Sequence, residues 1–194
     1  MKKILLGGLI GGIIMFAWGF VYWGLTGAGA STVKNTLNDD AMAAALRTNL
    51  TDRGVYVVPS RPATMDHDAM DAYAKKYEAG PVAMIIYNPM GSSLMMPGQM
   101  AVGLLLNILS AMVAAWFLSR STATTSSYFA RVTFCGVFGI LISLSAHLVT
   151  WNWMGYPLDY VTKWIADSVI GWTLTGLGIA AIVKPSKEQT QPSR

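Results

Sequence analysis

Apolar positions along this chain concentrate in four long runs separated by polar or mixed stretches. Residues 4–25 carry no charge and follow Lys2 and Lys3. At about 1.5 Å per residue the run can cross a ~30 Å hydrocarbon core. Residues 100–118, closed by Arg120, form a second uncharged run, and residues 132–150, opened by Arg131 and closed by Trp151 and Trp153, form a third. Residues 157–165 read as an amphipathic lead-in at the membrane interface. Residues 167–183 continue it as a fourth span, stopped by Lys184 and Pro185. Four crossings return both termini to one side.

Residues 26–99 are the part able to fold in water. Asn38, Asp39 and Asp40 cap and charge a helix over 41–50, with Met42, Ala45, Leu46 and Asn49 on one face. Asp52-Arg53-Gly54 turns the chain into a strand over 55–58, which Pro59 halts. A second helix over 66–79 has acids in its first turn and Lys75 and Lys76 near its end, and Gly80-Pro81 stops it. A second strand covers 82–87, and Asn88-Pro89-Met90-Gly91 is a turn. A right-handed strand-helix-strand crossover predicts that the two strands pair in parallel. Two strands are marginal in water, so this domain must lean on its own helices, the membrane surface or another chain.

The fold class is therefore membrane α-helical: four transmembrane helices with a small α/β (α-β-α-β) extracytoplasmic domain inserted after helix 1. The boundaries are an N-terminal helix at 1–25, the inserted domain at 26–99, a three-helix transmembrane bundle at 100–183 and a disordered tail at 184–194. Composition agrees, with 53% hydrophobic and 12% charged residues against about 25% charged in soluble domains. Cleavage of the first run as a signal peptide is the competing reading, because Ala28-Gly29-Ala30 before Ser31 has the small-x-small form. The run exceeds the ~7–15 apolar residues of a signal peptide and ends in Trp18, Tyr22 and Trp23, a pattern of an interfacial belt.

Charge reports orientation. With the N-terminus inside, Lys2, Lys3, Arg120, Arg131, Lys184, Lys187 and Arg194 lie inside against Glu188 alone, a net of +6, while the other side nets −2, together the chain's +4. Both termini are then cytoplasmic and residues 26–99 periplasmic, in a bacterial inner membrane. No basic cluster of the kind nucleic-acid binding needs is present. The single cysteine, Cys135, leaves no disulfide within the chain and no cysteine-based zinc site.

Gly7, Gly8, Gly11 and Gly12 form two overlapping G-x-x-x-G pairs that let another helix approach closely, either this chain's own bundle or a second chain. His147, Asn107 and Asp167 fall in one layer near the outer ends of three spans and form a candidate polar membrane cluster. Such groups can also be satisfied by interfacial water or a neighbouring helix. Ser143 stands four residues before His147, although helix serines usually bond their own backbone. A bis-histidine haem would need a second membrane histidine, which is missing.

Asp66, His67, Asp68 and Asp71 group metal-ligand types at the start of a helix, where acids are favoured anyway. Met84, Met90, Met95, Met96 and Met100 could hold Cu(I), or simply fill gaps where a domain meets a membrane. No catalytic residue, cofactor or metal site is assigned. A nucleophile beside a base, a phosphate loop and zincin spacing are all missing from the sequence.

The wording Gly11-Gly12-Ile13-Ile14-Met15-Phe16-Ala17-Trp18-Gly19, the Gly80-Pro81 strand start, Trp151-Asn152-Trp153-x-Gly155-Tyr156-Pro157 and Val169-Ile170-Gly171-Trp172 resembles a group of bacterial four-helix inner-membrane proteins without assigned activity. The resemblance implies an exported domain between helices 1 and 2, and it carries over no site residue.

The expected function is non-catalytic: an accessory or assembly role in which the periplasmic domain contacts a membrane or envelope protein, or a second copy of the chain. Proton or small-solute transport along Asn107, His147 and Asp167 is the alternative, with a membrane enzyme using His147 or His67 as base a third reading.

Overall fold

The computed structural model describes residues 1–93, 96–122 and 127–184. The chain divides into two compact units, one built from Met1–Lys34 with Met96–Arg194 and the other from Asn35–Met95. The expected tail beyond Lys184, and Met95, lie outside the described residues.

The first unit contains α1 (Lys2–Gly19), prolonged by a π-helical segment (Phe20–Leu25), and α4 (Pro97–Arg120), α5 (Tyr128–Ile142), α6 (Leu148–Met154) and α7 (Leu158–Ile182). A second π-helical segment, Ser143–His147, joins α5 to α6. Four helical stretches, Lys2–Leu25, Pro97–Arg120, Tyr128–Met154 and Leu158–Ile182, are long and apolar enough to cross a membrane. Pro97 begins α4, where a missing N–H costs nothing. Gly155, at φ 67°, adopts the left-handed conformation that ends α6 ahead of Pro157.

Helix α1 packs between α4 and α7, and α7 packs between α1 and α5. Small residues set these contacts. All four glycines of α1, Gly7, Gly8, Gly11 and Gly12, are buried. A Cβ on Gly8 would lie 2.8 Å from the Met112 Cα of α4, and one on Gly12 would lie 2.4 Å from the Ile108 Cα. Gly7 faces Val183, just past the end of α7, and Gly11 faces Ile179 of α7, with Ala115 and Ala111 of α4 beside them. The α5–α7 contact repeats the device: a Cβ on Gly139 would sit 2.5 Å from the Ser168 carbonyl oxygen, and one on Gly176 would sit 2.9 Å from that of Val132. The core between the helices is correspondingly small-residued, with Ala111, Ala114, Ala115 and Cys135 beside Leu118, Ile179 and Val183.

The pairings run antiparallel, so Lys2, Lys3, Arg120, Arg131 and Lys184 gather at one end of the bundle and the tryptophan- and tyrosine-rich segments at the other. Lys3 donates to the Lys184 carbonyl (3.2 Å), and the buried Arg131 turns its Nε to the Ala180 carbonyl (3.3 Å). Thr175 is fully buried against α1, and its hydroxyl has no hydrogen-bond partner among the described residues. An orphaned buried hydroxyl is a net cost, whereas a methyl of the same shape is not. Thr175→Val is therefore expected to leave stability unchanged or raise it by up to about 1 kcal/mol in detergent unfolding. A loss of that size would show that the hydroxyl is paired.

The second unit contains α2 (Asp39–Asn49), β1 (Gly54–Val58), α3 (His67–Ala79) and β2 (Ala83–Tyr87). Asn38 caps α2 by accepting from the Ala41 N–H, and Asp66 caps α3 by accepting from the Ala69 N–H, each at 2.9 Å. Hydrogen bonds from the Thr64 hydroxyl and the Ala69 N–H hold the Asp66 carboxyl below the usual aspartate range. The covered positions of α2 and its C-cap are Ala43, Leu46 and Leu50; of the face expected at Met42, Ala45, Leu46 and Asn49, Leu46 is covered and the other three are exposed. The run of alanines gives a hydrophobic pattern too even to fix that phase.

The expected parallel pairing is wrong. β1 and β2 are antiparallel, from Gly54 opposite Tyr87 to Val58 opposite Ala83. The lengths of the connection accommodate this. The eight residues between β1 and α3 reach up to ~26 Å when extended. The 13-residue helix α3 spans about 20 Å on the return. Out and back are matched, so the chain re-enters the sheet beside the end it left, instead of crossing to the opposite end.

Candidate functional site

Polar groups of the first unit converge at its aromatic end, and local helix geometry puts them there. In an α-helix, residues five apart differ by about 140° around the axis, so Trp18 and Trp23 would point in different directions. The wider π turn over Phe20–Leu25, with Thr26 N–H bonded to the Val21 carbonyl (3.1 Å), brings both indoles toward α7. Trp18 Nε1 donates to the Asp167 backbone carbonyl (3.3 Å), and Trp23 Nε1 donates to Asp167 Oδ2 (2.9 Å). Between them, the Tyr22 hydroxyl donates to the Lys163 carbonyl (3.0 Å). Lys163 itself extends to Ser31 Oγ (2.7 Å), and Asp167 makes no ion pair among the described residues.

Asp167 opens on a cavity of about 180 Å³ whose walls include Trp18, Trp23, Trp172, Asn107 and Ser168. Gly171 makes room for this wall, since a Cβ there would lie 2.9 Å from Trp18 Cδ1. No hydrogen bond of the Asn107 side chain is found among the described residues, and Asn107 lines both this cavity and a second one of about 370 Å³ beside Phe16, Phe20 and Met100.

Of the three cluster residues expected from sequence, Asn107 and Asp167 thus share a cavity wall. His147 does not. It lines a neighbouring cavity of about 220 Å³ with Thr150, Tyr156, Tyr160, Val161 and Trp164, and reaches the first only through Ser168, whose Oγ lies 2.8 Å from His147 Nε2. Ser143 plays no part in this contact, because its hydroxyl donates to the Gly139 carbonyl (2.7 Å) of its own helix. Sequence reasoning missed Trp18 and Trp23 as donors to Asp167, and Ser168 and Trp172 as neighbours in its cavity wall. Trp18 and Trp23 were legible only as a belt, and nothing in the sequence announces a π turn.

The other candidates are dispersed or already engaged. The exposed His67 has its Nδ1 3.4 Å from Asp71 Oδ2 and 3.9 Å from Asp68 Oδ1, while Asp66 is occupied with capping. Among the described residues no group of three His, Cys, Asp or Glu side chains is placed to hold a metal. Met84 is half-exposed on β2, Met90 projects from the following turn, and Met100 lies near the start of α4. Cys135 is buried in the α-helical core.

Compared with protein-family models, with curated proteins and with solved structures, the chain matches none.

Proposed function

We propose that the chain is an integral inner-membrane protein of four spans, with both termini cytoplasmic and residues 26–99 periplasmic, and that it serves without chemistry of its own as an accessory or assembly factor binding an envelope protein through the Asn35–Met95 unit. Leu5, Leu9, Leu105, Leu109, Val137, Leu141 and Ile170 point outward from the four apolar helices, which suits a lipid surround. The basic end and the aromatic end of the bundle match the positive-inside bias and an interfacial belt.

The observation that carries the functional reading is the sheet of the second unit. Val55 and Val57 of β1 pair with Ile86 and Met84 of β2, and all four side chains on this face are exposed, Val55 at 64% and Ile86 at 78%. No described residue of the unit is buried. A two-stranded sheet with an uncovered apolar face is marginal by itself, and a protein surface laid against that face supplies the missing core.

A photo-crosslinking side chain at Val57 or Ile86 of the full chain, activated in native membranes, tests this. A discrete adduct with one envelope protein is expected, and Val55→Lys should abolish it. Adducts of twice the chain's own mass would replace the partner with a second copy. No adduct from either position would remove the reading, as would reporter fusions placing residues 26–99 on the same side as Lys2.

A further inference from the structure

The cavity beside Asp167 has the composition of a cation receptor. Its walls combine three indoles, Trp18, Trp23 and Trp172, with one carboxylate and one amide, Asp167 and Asn107. The carboxylate already accepts one indole N–H at Oδ2, and no basic side chain pairs with it among the described residues. The nearest lysine along α7, Lys163, is committed to Ser31. An anion within an apolar helix bundle is costly unless a cation or several donors compensate it. Trp18, Trp23 and Trp172 each also contact another ring, Tyr22, Trp164 and Phe138, and such an aromatic wall favours a cation that is weakly hydrated and carries alkyl groups, which distinguishes an organic ammonium from a bare metal ion. The volume, about 180 Å³, corresponds to roughly six waters at ~30 Å³ each, enough for an ethanolamine-sized group and too small for a nucleotide.

We propose that this cavity binds an organic ammonium group, its positive charge set against Asp167, its alkyl carbons against the tryptophans, and an accompanying hydroxyl or ester oxygen within reach of the Asn107 amide. The group can arrive as a free small amine or as the headgroup of an aminophospholipid. This site is separate from the sheet face assigned to partner binding and stands or falls independently of it.

The test uses the full chain in nanodiscs with ¹⁵N-labelled tryptophan, following the indole N–H resonances of Trp18 and Trp23 by NMR. In phosphatidylglycerol discs, titration with ethanolamine or tetramethylammonium is expected to shift both resonances saturably, whereas tert-butanol, a neutral probe of similar bulk, does not. In discs containing phosphatidylethanolamine, shifted resonances before any free amine is added identify the lipid headgroup as the source. A response only to free amine identifies a soluble ligand.

Asp167→Asn keeps the shape and an acceptor for Trp23 but removes the charge, and should weaken binding at least tenfold. Asn107→Leu, which breaks no hydrogen bond found among the described residues, should weaken it by occupying the cavity and serves if the Asp167 variant fails to fold. Absence of a saturable shift with any amine or aminophospholipid in the folded wild-type chain overturns the proposal. An equal response to tert-butanol does the same.

Discussion

Gly12→Leu is expected to destabilise the four-helix unit by about 3 kcal/mol or more in a reversible detergent unfolding titration. A Cβ at this position would lie 2.4 Å from the Cα and 2.6 Å from the backbone nitrogen of Ile108. Backbone cannot yield as a side chain can, so α1 and α4 must separate along their whole contact. Where helices associate without a hydrophobic driving force, that close approach is the main attraction available. Gly7→Ala should cost far less, because its Cβ would meet the end of the Val183 side chain at 3.2 Å. Gly19→Leu should be near neutral, since nothing lies within 4 Å of a Cβ there. Equal effects at the three positions would mean that helix propensity, and not packing, dominates.

These glycines show what could be read before the fold was known. Spacing alone places Gly8 and Gly12 on one face of a helix and Gly7 and Gly11 on a face beside it. It carries no information about what approaches them. The structure sets Gly8 and Gly12 against α4 alone, and Gly7 and Gly11 between α7 and α4, whose Ala115 and Ala111 lie 3.7 and 3.2 Å from their added Cβ atoms. The four apolar helices were legible because an uncharged run of that length has few alternatives. The lead-in expected over 157–165 and the span expected over 167–183 form one helix, Leu158–Ile182, since a single carboxylate leaves the backbone hydrogen bonds untouched. Strand direction was illegible for the opposite reason. It depends on whether a loop of eight residues is extended or compact, and the sequence of that loop specifies neither.

The candidate site was half legible on the same terms. Asn107 and Asp167 announce themselves as polar residues in apolar runs, and antiparallel packing brings them to one level. His147 announces itself equally, yet its helix turns it to a second cavity. The residues that hold Asp167 were hidden because their alignment depends on a π turn. Read with α-helical periodicity, Trp18 and Trp23 belong to different faces.

Trp23→Phe is the variant that isolates this arrangement. It retains the aromatic ring and deletes the indole N–H that Asp167 Oδ2 accepts at 2.9 Å. Hydrogen bonds to charged groups contribute about 1.5–3 kcal/mol in proteins, while polar contacts between membrane helices average ~0.6 and reach ~1.7. Both partners are half-buried, so a loss of about 1.5 kcal/mol is expected, at the upper end of the membrane range. Trp18→Phe should cost less, about 0.5–1 kcal/mol, because its donor meets a neutral carbonyl at 3.3 Å. Removing the carboxylate as well separates contact from context. In a cycle of Trp23→Phe, Asp167→Leu and the double variant, the double change should cost less than the two single changes added together, by about 1 kcal/mol or more. Strict additivity would mean that the π turn positions Trp23 for packing alone, and that Asp167 draws its stabilisation from elsewhere in the cavity.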